Sequence, residues 1–275
     1  MLAPPIPTRS LARVVPVPKP GGTRWLTLLS EEVAEGYSQA VAEIAPAIEA
    51  RLGSRVFANR VVGYSPLSLE RWRSARSRFR RAAVRLAEGL RTVAVCDVRD
   101  CFASIRDDRV EEALLRLDCE PKAVAGVVGL LRGFAREGIV GLPIGPEPSA
   151  VLANAVLSGA DEALEASGSV HLRWVDDFVV IAHDAADAGE ALERLRTALE
   201  AMGLAVNERK TRIHDGAEFA RTALLRGSVS DFRAVDRLRS DAHALSSLAG
   251  ENVLTPPGRG LDPHRRPPRP ARGRR

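Results

Sequence analysis

The sequence predicts an α+β fold in which an antiparallel sheet is backed by helices. Two short apolar runs, His171-Leu172-Arg173-Trp174-Val175 and Phe178-Val179-Val180-Ile181-Ala182, flank the pair Asp176-Asp177. Runs this short and this rich in Val, Ile and aromatic residues read as strands, with the acidic pair at the tip of a hairpin. A third run of the same kind, Thr92-Val93-Ala94-Val95-Cys96, ends on Asp97. Between these runs, long stretches repeat their apolar residues at a spacing of three and four, which is the signature of helices.

The elements follow in order. Val14 to Leu26 reads as a hairpin turning at Pro20-Gly21-Gly22, with Lys19 and Arg24 bracketing the turn. Two cations beside a Gly-rich turn suit a triphosphate, or are ordinary surface charges. Ser30 then stands as the cap of a helix over 31–52, with Glu31 and Glu32 in its first turn and Val33, Tyr37, Val41, Ile44 and Ile48 on its apolar side. A second helix is expected over 69–90, burying Trp72, Ala75, Phe79, Ala82, Leu86 and Leu90. Its remaining surface carries Arg71, Arg73, Arg76, Arg78, Arg80, Arg81 and Arg85 with no acid among them. A face of one sign suits a nucleic-acid backbone, the other reading being a solvated face. Asp108 and Glu111 resemble a capping box opening a helix to Leu117, and Pro121 opens another over 121–136. The Gly/Pro-rich loop 141–149 feeds a long apolar helix over 150–164, where backbone can approach a ligand closely. After the acidic hairpin come a helix over 185–202 stopped by Gly203, a strand–turn–strand over 204–213, and a last helix over 232–248.

Composition excludes several classes. At 275 residues the chain allows one large domain or two small ones. No apolar run is long enough to cross a bilayer, and Met1-Leu2-Ala3-Pro4-Pro5 lacks the basic-then-apolar order of a signal peptide, so the expectation is a cytoplasmic protein with no membrane partner. Cys96, Cys101 and Cys119 are too few and wrongly spaced for a zinc site or a disulfide framework. The five histidines show no metal-ligand spacing and read as structural or solvated. Charge is uneven: residues 255–275 hold seven arginines against Asp262 alone, while the whole chain carries only +5. This Pro/Gly-rich tail is expected to be disordered, serving either a polyanion partner or solubility.

The chemistry centres on the carboxylates. Asp is common in turns, so Asp176-Asp177 alone is also simply a turn. Asp97 changes the reading, because an ionised Asp ending a buried strand needs a partner or a metal. Three carboxylates on neighbouring strand ends repel one another unless a cation stands between them. A pair of Mg²⁺ ions, with Mn²⁺ as a substitute, would balance them and would support phosphoryl transfer.

Five stretches, in this order, resemble bacterial reverse transcriptases: Pro18-Lys19-Pro20-Gly21-Gly22-Thr23-Arg24; Cys96-Asp97-Val98-Arg99-Asp100-Cys101-Phe102-Ala103-Ser104-Ile105; Gly141-Leu142-Pro143-Ile144-Gly145-Pro146 through Leu152-Ala153-Asn154; Trp174-Val175-Asp176-Asp177; and Asn207 through Lys210-Thr211. The resemblance implies a right-hand polymerase. Residues 1–91 would be fingers-like and 92–215 palm, with 106–140 a helical fingers insertion. Residues 216–250 would be the palm end and a reduced thumb, and 251–275 the basic tail. It implies that Asp97, Asp176 and Asp177, with the Val98 backbone, hold the metals. Lys19, Arg24, Gly145 and Lys210 would contact the nucleotide, and Phe102 would be the gate that crowds a ribose 2′-OH. Arg73, Arg76, Arg80 and Trp174 would contact the nucleic acid. The implied partners are an RNA or DNA template-primer and dNTPs, with room for an accessory RNA or protein subunit.

Two positions depart from the family pattern. Trp174 stands for the usual Tyr, losing a hydroxyl, and Ile144 stands for the common Gln, removing a polar contact near the nucleotide. The Ile-Gly-Pro form of the loop is closer to defence-associated and unclassified bacterial reverse transcriptases than to group II intron enzymes. The implied activity is template-directed DNA synthesis, with a role in antiphage defence. The other readings are a nucleic-acid-binding palm without catalysis, and an RNA polymerase or untemplated nucleotidyltransferase on the same fold.

Overall fold

The computed structural model describes residues 12–19, 22–87 and 91–225. Its centre is a four-stranded antiparallel sheet in the order β6-β7-β5-β8, built from β5 (Thr92–Asp97), β6 (Val170–Trp174), β7 (Asp177–Ala182) and β8 (Arg212–Asp215). The central strands alternate their side chains between two cores, while β8 on the edge is mostly exposed. Ala94, Cys96, Phe178 and Val180 face a large core shared with the helices α1 (Glu31–Arg51), α4 (Asp107–Arg116), α5 (Pro121–Arg136), α6 (Glu147–Ala166) and α7 (Ala185–Ala201). Val93, Leu172, Trp174, Val179 and Ile181 face a smaller core closed by Ala75, Phe79, Ala83 and Ala87 of α2 (Trp72–Ala87). Burial on both faces is why these strands read as nearly unbroken apolar runs rather than as alternation.

Two hairpins stand beside the sheet. β1 (Ala12–Lys19) pairs with β2 (Gly22–Leu29) as the expected hairpin, but Gly22 belongs to β2, opposite Lys19, rather than to the turn. Pro20 and Gly21 of the turn lie outside the described residues. The second hairpin, β3 (Val61–Tyr64) with β4 (Leu67–Leu69), is not anticipated by the sequence reading. It moves the start of α2 from residue 69 to Trp72, because Leu67–Leu69 pairs as strand.

Several helix ends are set differently from the sequence expectation. Ser30 precedes α1, but its side chain makes no capping bond; its carbonyl accepts Ala34 N–H instead. The far end of α1 is closed by Arg60, whose guanidinium donates to the carbonyls of Gly53 (2.9 Å) and Val56 (3.1 Å) and to Glu49 (2.8 Å). The capping box at Asp108 and Glu111 does not form. Arg106 is the cap residue of α4, and Asp107 and Glu111 accept from Arg132 of α5 instead. Glu120 caps α5 through Ala123 N–H, and Asp184 caps α7 through Ala186 and Asp187 N–H. Gly203, at φ +73, ends the turn after α7. α6 starts at Glu147, with Pro148 in its first turn, rather than at residue 150.

The buried line of α2 runs through residues four apart, Ala75, Phe79, Ala83 and Ala87; Trp72, Ala82 and Leu86 are only half-buried. Past Gly203 the chain forms no first strand; Val206 alone bridges to Val98, and the turn 207–210 leads to β8. A short helix α3 (Cys101–Ser104) follows β5, and α8 (Gly216–Leu225) follows β8 and packs against α2. The expected helix over 232–248 and the basic tail lie outside the described residues. No helix among the described residues is long and apolar enough to cross a membrane.

Candidate active site

The acidic residues converge at one end of the sheet. β5 and β7 pair so that Asp97 is directly opposite Asp177. β6 and β7 are joined by the two-residue turn Val175-Asp176, with Trp174 opposite Asp177. Val175 sits at φ 57, in the left-handed region that a β-branched residue rarely occupies. The Asp176 carbonyl accepts Val98 N–H at 3.1 Å, which fastens the turn to the end of β5.

The electrostatics of the trio are strained. Burial, and then the Asp176 and Asp97 charges, push the Asp177 carboxyl up to about 7, against the pull of Arg76 and Lys210. Burial and the Asp97 charge likewise push Asp176 up, with Lys210 and Arg24 opposing. Asp97 is itself buried, and both its oxygens are engaged: Oδ1 accepts from Asn207 Nδ2 at 2.7 Å and Oδ2 from Lys210 Nζ at 2.7 Å. Its carbonyl accepts Asn207 N–H at 2.8 Å. Burial pulls the Lys210 ammonium down, but the bond to Asp97 and the neighbouring carboxylates outweigh that and leave it raised.

Among the described residues, no group of three His, Cys, Asp or Glu side chains stands ready as a metal-ligand set. Asp97 faces Lys210 and Asn207, so the trio is clustered without being closed around an ion. The donor set nevertheless fits a hard divalent cation, because all three groups are carboxylates, and burial and mutual repulsion raise the proton affinity of two of them, which a cation would relieve.

The remaining sequence-predicted residues divide into those near the trio and those elsewhere. Arg24, exposed on β2, lies close enough to lower Asp176. The backbone of Lys19 is in β1, and its side chain lies outside the described residues. Phe102 is half-buried on α3, next to the loop 141–146: its carbonyl accepts Leu142 N–H at 2.8 Å. Gly141 is at φ +73, and a Cβ there would lie 2.4 Å from the Phe102 carbonyl oxygen, so only glycine fits. Gly145, at φ +125, is exposed, and beside it the Ile144 carbonyl accepts Thr27 N–H of β2 at 2.7 Å.

The nucleic-acid group needs correction. Trp174 is not on a free face: it is buried against Phe79, ring centroids 5.7 Å apart. The Arg76 guanidinium lies over its ring at 4.9 Å, half-buried, and its pKa is lowered by burial in spite of the Asp177 charge. Arg80 is half-buried as well. The reason is the placement of α2, which lies directly on the second face of the sheet, so its sheet-side arginines are drawn inward. Arg73 stays exposed with its guanidinium 5.5 Å over the Trp72 ring, and Arg71, Arg78, Arg81 and Arg85 are exposed beside it.

The sequence reading missed one cluster entirely. Behind the turn, Arg173 of β6 is fully buried and bonds Asp161 of α6 through Nε (2.9 Å) and Nη2 (2.6 Å). Its Nη1 donates to Asn154 Oδ1 at 2.8 Å and to the Val175 carbonyl at 3.0 Å. His171 Nε2 stands 3.1 Å from Asp161 Oδ1. Burial pushes the Asp161 carboxyl up, but the Arg173 charge and the His171 bond more than reverse this and hold it below the ordinary value. The available signal was an Arg and a His at alternate positions of a strand otherwise buried on both sides.

An antiparallel sheet backed by helices, with acidic strand ends at one edge, is the α+β palm of a nucleic-acid polymerase. The chain belongs to the reverse transcriptase (RNA-dependent DNA polymerase) family, whose model matches residues 19–222. Among solved structures it is similar to the telomerase of Candida tropicalis bound to a fragment of telomeric RNA, with 13% identity, TM-score 0.51, and coverage of 75% of this chain and 41% of that one. It is also similar to the telomerase of Candida albicans with such a fragment, with 13% identity, TM-score 0.49, and coverage of 76% and 43%. At this identity the likeness to the first is one of fold alone, and the chain spans less than half the length of either telomerase. No curated protein matches the chain.

Proposed function

We propose that the protein carries out template-directed DNA synthesis, transferring a nucleotide from a dNTP to a primer 3′-OH on an RNA template. The observation that carries this is the register of Asp97 against Asp177 with Asp176 in the adjoining turn, where burial and the neighbouring acidic charges raise the proton affinity of Asp176 and Asp177. Asp97, Asp176 and Asp177, with the Val98 backbone, would hold two Mg²⁺ ions, for which Mn²⁺ can substitute. Bound there, divalent ions would supply Lewis-acid activation of the primer oxygen and charge neutralisation at the phosphate. In this reading Arg24 and Lys19 neutralise the triphosphate from the fingers hairpin, and Gly145 offers backbone beside it. Lys210, which bonds Asp97 at 2.7 Å, would be the cation that meets the leaving pyrophosphate. Phe102 crowds the 2′ position of the sugar, which favours deoxynucleotides. The exposed arginines of α2, Arg73 among them, follow the template backbone.

The division into fingers (1–91), palm (92–215, with 106–140 as insertion), reduced thumb (216–250) and basic tail (251–275) belongs to the same proposal. So do a cytoplasmic setting, an accessory RNA or protein subunit, and a bacterial antiphage role, which rests on the Ile144-Gly145-Pro146 form of the loop. The test is primer extension by purified protein with Mg²⁺ or Mn²⁺ on defined RNA and DNA templates. Asp176→Asn is expected to abolish incorporation while the protein stays folded. An Asp176→Asn protein that extends a primer at the wild-type rate refutes the proposal, and equal use of rNTPs and dNTPs by the wild type refutes the gate.

A further inference from the structure

We propose that Arg173 is a positioning residue for the acidic turn, holding the Val175-Asp176 backbone in place through a buried ion pair with Asp161; this rests on the polymerase reading of the site. Arg173 has no exposed surface, and a buried guanidinium is costly to desolvate. Buried ion pairs are often replaceable by apolar pairs of similar size without loss of stability, so the bonding of Arg173 points to a role besides stability. Nε and Nη2 are taken by Asp161, and Nη1 is shared between Asn154 and the Val175 carbonyl. The Val175 carbonyl is the acceptor that belongs to the turn itself, one residue before Asp176.

That carbonyl belongs to a residue held where its side chain resists. Val175 is β-branched and at φ 57, a conformation that persists only where the surroundings impose it. Two bonds impose it here: Arg173 Nη1 to the Val175 carbonyl, and Val98 N–H to the Asp176 carbonyl. The anchor behind Arg173 is rigid. Asp161 sits on α6 and is also held by His171, and Asn154 on the same helix donates to the Ala58 carbonyl at 2.9 Å. The Arg173 backbone adds two further ties, accepting Phe57 N–H at 3.1 Å and donating to the Arg55 carbonyl at 2.9 Å. The orientation of the acidic turn is thereby referred to α6 and to the segment 55–58, which lies between α1 and β3.

A lysine cannot reproduce this, because a single ammonium on a flexible stem does not match a planar fork that reaches Asp161, Asn154 and Val175 at once. Two variants test the idea. Arg173→Met with Asp161→Leu removes both charges together and leaves no unpaired ion in the core. Arg173→Lys keeps the charge but loses the fork. The primary measurement is amide hydrogen exchange in peptides covering 170–180, which does not depend on catalysis. Both variants are expected to exchange faster at the turn than wild type while α6 and β5 keep their protection. In primer extension, kcat is expected to fall by about 10–100-fold, as for other residues that orient metal ligands, with the Kd for template-primer unchanged. Adding Val175→Gly to either variant is expected to restore part of the rate, since glycine accepts a positive φ without an anchor; a role in core stability alone predicts no such rescue.

Turn exchange equal to wild type in a folded variant overturns the inference whatever the activity. Should the double variant fail to fold, Arg173→Lys decides the matter by the same measurement. A wild type that makes no DNA, combined with faster turn exchange in the variants, removes the polymerase reading and leaves the positioning of the turn established.

Discussion

Replacing Asp177 by Asn should make the metal-free protein more stable, by an amount that depends on pH in a defined way. The carboxyl is pushed from the ordinary 3.8 up to about 7 by burial and by Asp176 and Asp97. At about 1.36 kcal/mol per pH unit, that corresponds to a ceiling of about 4 kcal/mol of unfavourable free energy in the ionised folded protein. The group is only half-buried, so water reaches it and the realistic cost is about 1–3 kcal/mol. For a chain of this size that is a rise in Tm of about 3–8 °C. The direction with pH follows from proton binding. Between about pH 4 and pH 7 folded wild type holds a proton on Asp177 that the unfolded chain has released, so wild-type stability falls as pH rises through this window and is flat above it. Asn has no such proton. The variant's advantage should therefore be full at pH 8, shrink below pH 7 and vanish towards pH 4. Thermal melts of both proteins in a chelating buffer from pH 4.5 to 8 measure it, and Mg²⁺ should then raise the wild-type Tm more than that of the variant. An Asn variant less stable than wild type at pH 8, or an advantage that does not change with pH, would refute the argument that the trio is held together against its own repulsion.

Three further outcomes are expected. Phe102→Ala should admit ribonucleotides by removing the ring five residues past Asp97, read as the ratio of rNTP to dNTP incorporation; an unchanged ratio would show that the ring is not the gate. Gly141→Ala should cost about 2–3 kcal/mol in urea unfolding, since its Cβ would meet the Phe102 carbonyl at 2.4 Å in a backbone that already has positive φ; a loss under about 0.5 kcal/mol would mean that the loop can move away. Truncation near Leu254 should leave the active site intact but weaken binding to a labelled single strand, because the tail carries seven arginines. Its salt dependence should become shallower by about two to four units, and superimposable titrations would assign the tail to solubility alone.

The sequence made the acidic hairpin legible because apolar runs flank a short acidic turn, although the turn is Val175-Asp176 and Asp177 already pairs in β7 rather than standing at the tip; it made Asp97 legible because an acid ending such a run needs a reason. The resemblance added Phe102, Lys210 and the loop at Gly145; of these Lys210 bonds Asp97 directly, and Phe102 meets that loop through the Leu142 N–H. What it could not show is which way α2 faces. Its apolar residues are consistent with more than one buried line, and only docking on the sheet selects Ala75, Phe79, Ala83 and Ala87. Trp174 and Arg76 differ from the sequence expectation for that reason: the indole beside the acidic turn is a core residue on the second face, and the arginine above it answers the Asp177 charge. The β3–β4 hairpin was missed because its strands are only four and three residues long and give periodicity too little to work on. Arg173 and Asp161 are distant elements in contact, and their pairing is a tertiary fact; the clue was that alternate positions of β6 carry His and Arg in a strand with no solvent face.

One consequence of the fold concerns how the separate parts of the site keep their distances. The β1–β2 hairpin, which carries Arg24, is tied by Thr27 N–H to the Ile144 carbonyl. Three residues earlier in the same loop Gly141 is pressed against the Phe102 carbonyl, and the next residue, Leu142, bonds that carbonyl through its N–H. Phe102 in turn lies on α3, directly after the β5 end that carries Asp97. The loop 141–146 is thus a short backbone link between the hairpin on one side and the aromatic ring and carboxylate on the other, and it leads straight into α6, which anchors the acidic turn through Asp161. Replacing the common Gln of this loop by Ile144 leaves the link untouched, because it is made by the backbone carbonyl. A polar side chain at that position can therefore be lost without breaking the tie to the hairpin.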